Sequence, residues 1–242
     1  MKKYNFYGKE YTYREAKGLI EDMQKNIWSA QSRYPKILPM VEGIKILDYG
    51  CGWGIFTKAI AQSSNREVLG IDTDKESLKI ARDLIGESEK LRFRLQKLSQ
   101  LKTESFDTVI SCQVLEHTWN PGKYLSECNR VLKKGGKLII SIPNETNIVF
   151  FISQLLISKK RINEIFSKKY EKEHDHIQSW TFYNFCRLIN SLGFKYKKHL
   201  FAEGIPIIKG YLHWNIPILT NLSYTVIYVL EKEKYVNPDE NY

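Results

Sequence analysis

Three glycines at alternate positions close the run Ile46-Leu47-Asp48-Tyr49-Gly50-Cys51-Gly52-Trp53-Gly54. An apolar β-type segment that opens into glycines and then into a helical pattern lets the main chain turn sharply. It also lets the chain approach a ligand with no Cβ in the way. Asp48 precedes the glycines, and Asp72 ends the next β-type run, 18 residues after Gly54. A carboxylate at Asp48 suits a ligand that carries an ammonium and a sulfonium, and it repels a pyrophosphate. One at Asp72 can accept both hydroxyls of a ribose, each charged hydrogen bond contributing about 1.5–3 kcal/mol. A dinucleotide fingerprint needs its third glycine at position 55, which is Ile55, so nicotinamide and flavin cofactors are disfavoured. Two acids and three glycines outline a site for an adenosyl cation.

The elements that must position these groups follow from periodicity. From Ile44 onward, short β-rich runs alternate with segments of helical period, the pattern of a parallel sheet covered on both faces. Strands are expected at Lys45 to Tyr49, Glu67 to Ile71, Leu91 to Leu95, Asp107 to Cys112, Lys137 to Ile142, Phe194 to Leu200 and Tyr224 to Glu231. Helices are expected from about Trp53 to Gln62, Asp74 to Leu84, Pro121 to Leu132 and Phe182 to Leu192. Thr73 and Glu76 have the form of a capping box, which leaves Asp72 without capping duty, and Gly135-Gly136 end the third helix. Residues 145 to 180 break the rhythm with a helical, basic and aromatic stretch, read as a lid insertion at the carboxyl edge of the sheet. Residues 1 to 43 read as an N-terminal helical cap on a domain that spans 44 to 242.

With its order and spacing, the stretch from Ile44 to about Asn144 resembles the class I S-adenosylmethionine-dependent methyltransferase superfamily. The resemblance is carried by Leu47 to Gly54, Gly70-Ile71-Asp72, Ser105-Phe106-Asp107-Thr108-Val109, Val114-Leu115-Glu116-His117 and Arg130 to Leu138. It implies a doubly wound α/β, Rossmann-like fold with seven strands in the order 3-2-1-4-5-7-6, the last strand antiparallel. It implies S-adenosyl-L-methionine as cofactor and S-adenosyl-L-homocysteine as product. The implied cofactor contacts are Asp48, Gly50, Cys51, Gly52, Gly54, Asp72, Thr73, Leu98, Cys112 and Gln113. Relatives often carry an acid after the third strand for the adenine amino group; here the residues are Gln96-Lys97-Leu98.

Methyl transfer from a sulfonium is an in-line displacement, so the protein mainly has to orient the acceptor and exclude water. For a hydroxyl acceptor a base within hydrogen-bond reach helps by about a hundredfold or more, and histidine is the usual choice. By the resemblance, His117 lies in a loop facing the methyl group; bracing that loop is its other use. His176 ends the insertion in His174-Asp175-His176, and the run from His176 to Thr181 looks like the segment that many small-molecule methyltransferases fold over the acceptor pocket. It is the preferred base, and capping the next helix is its other use. By the resemblance, Glu116 corresponds to a residue that binds a metal in some relatives, but no second acid is placed to complete a site here, so no metal is expected.

The acceptor class is bounded less tightly. A small metabolite methylated on a hydroxyl or an amine, such as a sugar or cell-surface polysaccharide intermediate, comes first. The net charge of +10 from 37 basic and 27 acidic residues invites an RNA or protein acceptor. However, the dense cluster Lys159, Lys160, Arg161, Lys168, Lys169 and Lys172 is interrupted by Glu164 and Glu171 and reads as a solvated helix face. The Ser111-Cys112-Gln113-Val114 loop also lacks the motif typical of exocyclic amine methylation on bases, which argues against nucleic acid. A third class is a membrane-associated lipid or quinone. In that reading Phe150, Phe151, Leu155, Leu156 and Ile157 ahead of Lys159 form a peripheral anchor. The aromatic residues Tyr4, Phe6, Tyr7, Tyr11, Tyr13 and Trp28, with Tyr211, His213 and Trp214, either wall an acceptor pocket or pack terminal segments. Cys51, Cys112, Cys128 and Cys186 are widely spaced without metal-type pairing and read as reduced thiols. No export stretch or transmembrane helix is expected, which fits a cytoplasmic enzyme. A binding module that has lost transfer is disfavoured by the intact glycines and Asp72.

Overall fold

The computed structural model describes residues 2–6, 9–29, 32–63, 65–145, 152, 155–167, 176–207, 210–212 and 223–240. Where a helical cap is expected, the chain begins with a hairpin of β1 (Lys3–Phe6) and β2 (Lys9–Thr12). Alternation decides this: Tyr4 and Phe6 point inward and are buried while Lys3 and Asn5 point out, a period of two that a helix does not produce. Helices α1 (Tyr13–Asn26) and α2 (Arg33–Ile37) follow. Thr12 and Glu15 close a capping box at the start of α1.

The main sheet contains β3 (Lys45–Tyr49), β4 (Glu67–Asp72), β5 (Leu91–Leu95), β6 (Phe106–Cys112), β7 (Leu132–Pro143), β8 (Phe194–Ala202) and β11 (Thr225–Lys232). A small hairpin of β9 (Ile205–Ile207) and β10 (Gly210–Leu212) stands apart from it. The sheet order is β5-β4-β3-β6-β7-β11-β8, which is 3-2-1-4-5-7-6 when its seven strands are counted along the chain. β11 is antiparallel to both β7 and β8, and the pairs from β5 to β7 are parallel. Among the described residues, helices α3 (Ile55–Gln62), α4 (Lys75–Ile80), α5 (Pro121–Val131), α6 (Lys159–Ser167) and α7 (Phe182–Ser191) follow.

Neighbouring strand residues serve opposite faces, which is why the strands read as continuous apolar runs. Ile46, Ile110, Ile139 and Ile227 join α1, α3 and α4 in one core. Leu47, Val109, Leu138, Ile140 and Tyr228 join α5 and α7 in the other. The carboxyl ends of β3, β4 and β6 therefore emerge together between two helical layers, where open α/β sheets bind ligands.

Local details depart from expectation in four places. The first helix starts at Ile55 because Gly54, in the left-handed region at φ 76°, is its N-cap. The next helix is capped by Asp74, which takes the amides of Glu76 and Ser77 at 3.1 and 2.9 Å. An ionised acceptor at that position outcompetes the Thr73 hydroxyl. That helix continues past Ile80 only as a π-helical turn, Ala81–Ile85. Finally, α5 ends at Val131 instead of running to the glycines: Leu132 is already extended and pairs with Phe106, and the next pair is Thr108 with Lys137. Lys133 to Gly136 are accommodated in a bulge of β7.

Much of the expected lid falls outside the described residues, including Phe150, Phe151, Lys168, Lys169, Lys172, His174 and Asp175. Tyr7, His213 and Trp214 do so as well.

Candidate functional site

The glycine turn is fastened to the end of β4 by three amides. Gly50 and Cys51 donate to the carbonyl of Ile71 at 2.9 and 3.1 Å, and Gly52 donates to Asp72 Oδ2 at 2.8 Å. Asp72 Oδ1 accepts the amides of Thr73 and Asp74 at 2.7 and 2.9 Å. Asp72 is free of helix capping, which falls to Asp74, but it is occupied with the turn that follows it. It ties two loops together and, of the roughly four lone-pair positions of a carboxylate, keeps about one open.

The three glycines do different work. A Cβ on Gly50 would lie 2.3 Å from Val114 Cγ2, and one on Gly54 would lie 2.5 Å from the Phe93 ring. Those two glycines permit close packing. A Cβ on Gly52, at φ 52°, would meet nothing within 4 Å. Gly52 is thus the position where bare main chain faces open space.

Asp48 is buried and accepts the Thr57 hydroxyl at 2.6 Å through Oδ2. Burial pushes its carboxyl up to about 6, the Thr57 hydrogen bond opposes this, and Asp72 adds repulsion. A cationic ligand nearby would favour the ionised form. Burial also raises the thiols of Cys51 and Cys112, the latter to about 12, so neither is a thiolate nucleophile near neutral pH.

Past β6 the chain turns tightly: Gln113 adopts φ 56° and donates its amide to Ser141 O at 2.9 Å. Its side-chain Nε2 is buried with no protein partner, the condition of a group awaiting a ligand or water. The 3-10 turn Leu115–His117 follows. Glu116 is fully buried there, and neither carboxylate oxygen has a hydrogen-bond partner. Burial raises this carboxyl to about 7, opposed first by the residue's own main-chain amide and then by the charge of Arg33.

The same residue draws in the end of the inserted segment. The main-chain carbonyl of Glu116 accepts the amides of Ile177 and Gln178 at 2.9 and 3.0 Å. This brings the His176 ring edge-to-face with His117, their centroids 4.9 Å apart. One ligand atom from each of Glu116, His117 and His176 lies within 4.8 Å of the others. Two residues 59 positions apart in sequence, each read separately as a base, therefore occupy one place.

Of the remaining site candidates, Thr73 contributes its amide to Asp72. Leu98, in a 3-10 turn after β5, is buried and packs in the core shared with α5. Sequence reasoning missed two supports. Phe6 of the hairpin packs edge-on against Trp53 inside the glycine turn, centroids 4.7 Å apart. Arg33 pairs with Glu203 at 2.7 Å, and Glu203 also takes the Thr225 hydroxyl. These partners are far apart along the chain, and no local pattern marks them.

A sheet in this order, with a glycine turn after its first parallel strand and an acid closing the second, is the fold of the class I S-adenosylmethionine-dependent methyltransferases, which this chain resembles. S-adenosylmethionine is the cofactor of that class. Residues 47–140 match the family described as "Methyltransferase domain". The chain is 35% identical over 115 residues to a ubiquinone biosynthesis O-methyltransferase of Xanthomonas oryzae pv. oryzae, covering 46% of this chain and 48% of that protein. It is 30% identical over 138 residues to the mitochondrial ubiquinone biosynthesis O-methyltransferase of Dictyostelium discoideum, covering 52% of this chain and 42% of that one. The chain thus spans about half the length of these curated relatives. In fold it resembles a chain from the complex between the Haloferax volcanii Trm112 methyltransferase activator and a methyltransferase, with a TM-score of 0.63 at 17% identity over 93% of this chain and 100% of that one.

Proposed function

We propose that this chain transfers a methyl group from S-adenosylmethionine to a hydroxyl oxygen of a small organic molecule. The observation that carries this reading is the cluster of Glu116, His117 and His176 directly past β6, a carboxylate and two imidazoles gathered at one point. Carbon acceptors and already nucleophilic amines have little need of such a set, whereas a hydroxyl must lose a proton as it reacts. The relatives named as O-methyltransferases support oxygen as the acceptor atom.

When bound, the cofactor supplies an electrophilic methyl group on a sulfonium. The chain's own residues bind and orient it. Asp72 and Gly52 form the ribose end of the site, with Thr73 and Leu98 on the side of the base. Asp48, Gly50, Cys51 and Gly54 shape the turn that receives the amino-acid end, and Cys112 and Gln113 border the approach to the methyl group. His176 and His117 engage the acceptor oxygen as bases.

Isothermal titration with S-adenosylhomocysteine and a panel of hydroxylated sugars, phenols and amines, read by release of S-adenosylhomocysteine, tests the reading. Micromolar or tighter product binding and turnover confined to hydroxyl acceptors are expected. Absence of affinity, or turnover only with amines, overturns it.

A second reading places the acceptor in a membrane, as a lipid or quinone. Along α6, Ile162, Ile165 and Phe166 share one helical face and are exposed, as are Leu155, Leu156 and Ile157 ahead of it. Lys159, Lys160 and Arg161 stand beside them, as in an interfacial basic helix. No helix among the described residues is long and apolar enough to cross a membrane.

A further inference from the structure

We infer that Phe6 is a positioning residue for cofactor binding: packed edge-on against Trp53, it holds the glycine turn in its ligand-receiving shape, so that docking of the N-terminal hairpin and binding of the cofactor favour each other. The inference rests on the reading of this turn as part of the cofactor site.

The turn from Gly50 to Gly54 needs support from outside itself. Three of its five residues are glycines, and all three lie in the left-handed region, at φ 74°, 52° and 76°. Glycine loses more conformational freedom on ordering than any other residue, so a turn built this way is costly to hold in one form. On the sheet side the support is main chain: the amides of Gly50 and Cys51 bond to the Ile71 carbonyl, and that of Gly52 bonds to Asp72. On the other side the turn offers a single bulky side chain, Trp53. Helix α3 adds no tie there, because its N-cap Gly54 has no side chain with which to cap it.

The hairpin supplies the second side from two directions. Phe6 is buried, its ring 4.7 Å from that of Trp53 at 62° and 5.5 Å from that of Tyr11 on β2 at 87°. Its own hairpin thus fixes the ring that Trp53 rests against, one residue beyond the bare main chain of Gly52. Tyr4, also buried, makes the other approach. Its hydroxyl donates to Asp83 Oδ2 at 3.1 Å, Lys2 reaches Asp83 Oδ1 at 3.1 Å, and Lys79 donates to the Lys3 carbonyl at 2.7 Å. Asp83 belongs to the π-helical turn Ala81–Ile85, a local form found frequently at functional sites. Ala81 of that turn and Phe93 pack behind Gly54, where an added Cβ would lie 3.1 Å from Ala81 Cβ and 2.5 Å from the Phe93 ring. The hairpin therefore meets the glycine turn at Trp53 and grips the element that backs it at Gly54.

A turn already held in shape binds its ligand without the ordering cost that a loose one would add. Such coupling is reciprocal. If the Phe6 contact strengthens cofactor binding, the bound cofactor must stabilise the docked hairpin by the same factor. Packing that served stability alone carries no such consequence.

Titration calorimetry of the full chain with S-adenosylhomocysteine, together with amide hydrogen exchange read by mass spectrometry, tests this. Phe6→Ala is expected to bind about three- to tenfold more weakly than wild type, the contribution of one aromatic ring pair. Phe6→Leu, which keeps apolar bulk against Trp53, should lie between the two, and a thermal melt confirms that each variant folds. In wild type, bound S-adenosylhomocysteine should slow exchange in β1 and β2 relative to β8 at the opposite edge of the sheet, and Phe6→Ala should lose that effect. Unchanged affinity in Phe6→Ala overturns the inference. So does binding to wild type that leaves exchange in β1 and β2 unaltered, a measurement that needs no variant to fold. Failure of the wild type to bind S-adenosylhomocysteine overturns the methyl-transfer reading instead, so the two failures are distinguishable.

Discussion

The amide of Gly52 donates to the Asp72 carboxylate at 2.8 Å, joining the turn after β3 to the end of β4. Because the same carboxylate also holds the amides of Thr73 and Asp74, its removal disorders two loops at once. Asp72→Ala is expected to weaken S-adenosylhomocysteine binding by about ten- to a hundredfold, from the loss of one charged hydrogen bond of about 1.5–3 kcal/mol. Titration calorimetry reads this directly, and an unchanged affinity would place the ribose elsewhere.

The glycines of the turn should separate into a packing class and a ligand class. In Gly54→Ala the new Cβ collides with Phe93 at 2.5 Å and the residue must hold φ 76°. The left-handed conformation alone costs about 1–2 kcal/mol, so the melting temperature should drop by several degrees. Gly52→Ala meets no protein atom; it should melt closer to wild type yet lose cofactor affinity. A reversal of the two phenotypes, in melts and titrations run side by side, contradicts the assignment of Gly52 to the ligand.

Asp48 makes a pH dependence that runs against the usual direction for acids. Its carboxyl is raised from 3.8 to about 6, mainly by burial, so the native state holds this proton more tightly than the unfolded chain. The contribution to stability is full below the unfolded value of 3.8 and is lost as pH rises through about 6, amounting to about 3 kcal/mol at most. Denaturation of wild type and Asp48→Asn at pH 5 and pH 7 should show wild type gaining on the variant at the lower pH. Affinity for the cationic cofactor should instead rise with pH through about 6 in wild type and stay flat in the variant.

The exposed apolar face of α6 predicts interfacial behaviour. Ile162, Ile165 and Phe166 beside Lys159, Lys160 and Arg161 should bring the chain down with vesicles containing anionic lipid, more strongly at low salt. Replacing the three basic residues with glutamate should leave it in the supernatant. Equal partition of wild type and variant would remove the membrane reading.

Legibility in the sequence followed the range of the interaction responsible. The parallel strands from β3 to β6 could be read within a residue or so of their ends, since side-chain alternation and apolar burial act over a few neighbours. The glycine turn was legible for the same reason. Competition among adjacent groups was harder to judge. Thr73, Asp74 and Asp72 all offer acceptors near one helix start, and geometry assigned the cap to Asp74 and the turn to Asp72.

Sequence alone determined the seven-strand alternation and pointed to an adenosyl cation at the turn and to His117 and His176 as separate candidate bases. Only the tertiary structure decided that those two meet beside Glu116, that Glu116 is buried without a partner, and that a hairpin rests Phe6 on Trp53. The physical reason is that periodicity records what each residue does to its own element, whereas closing a loop of some sixty residues depends on main-chain hydrogen bonds and packing supplied by the whole fold.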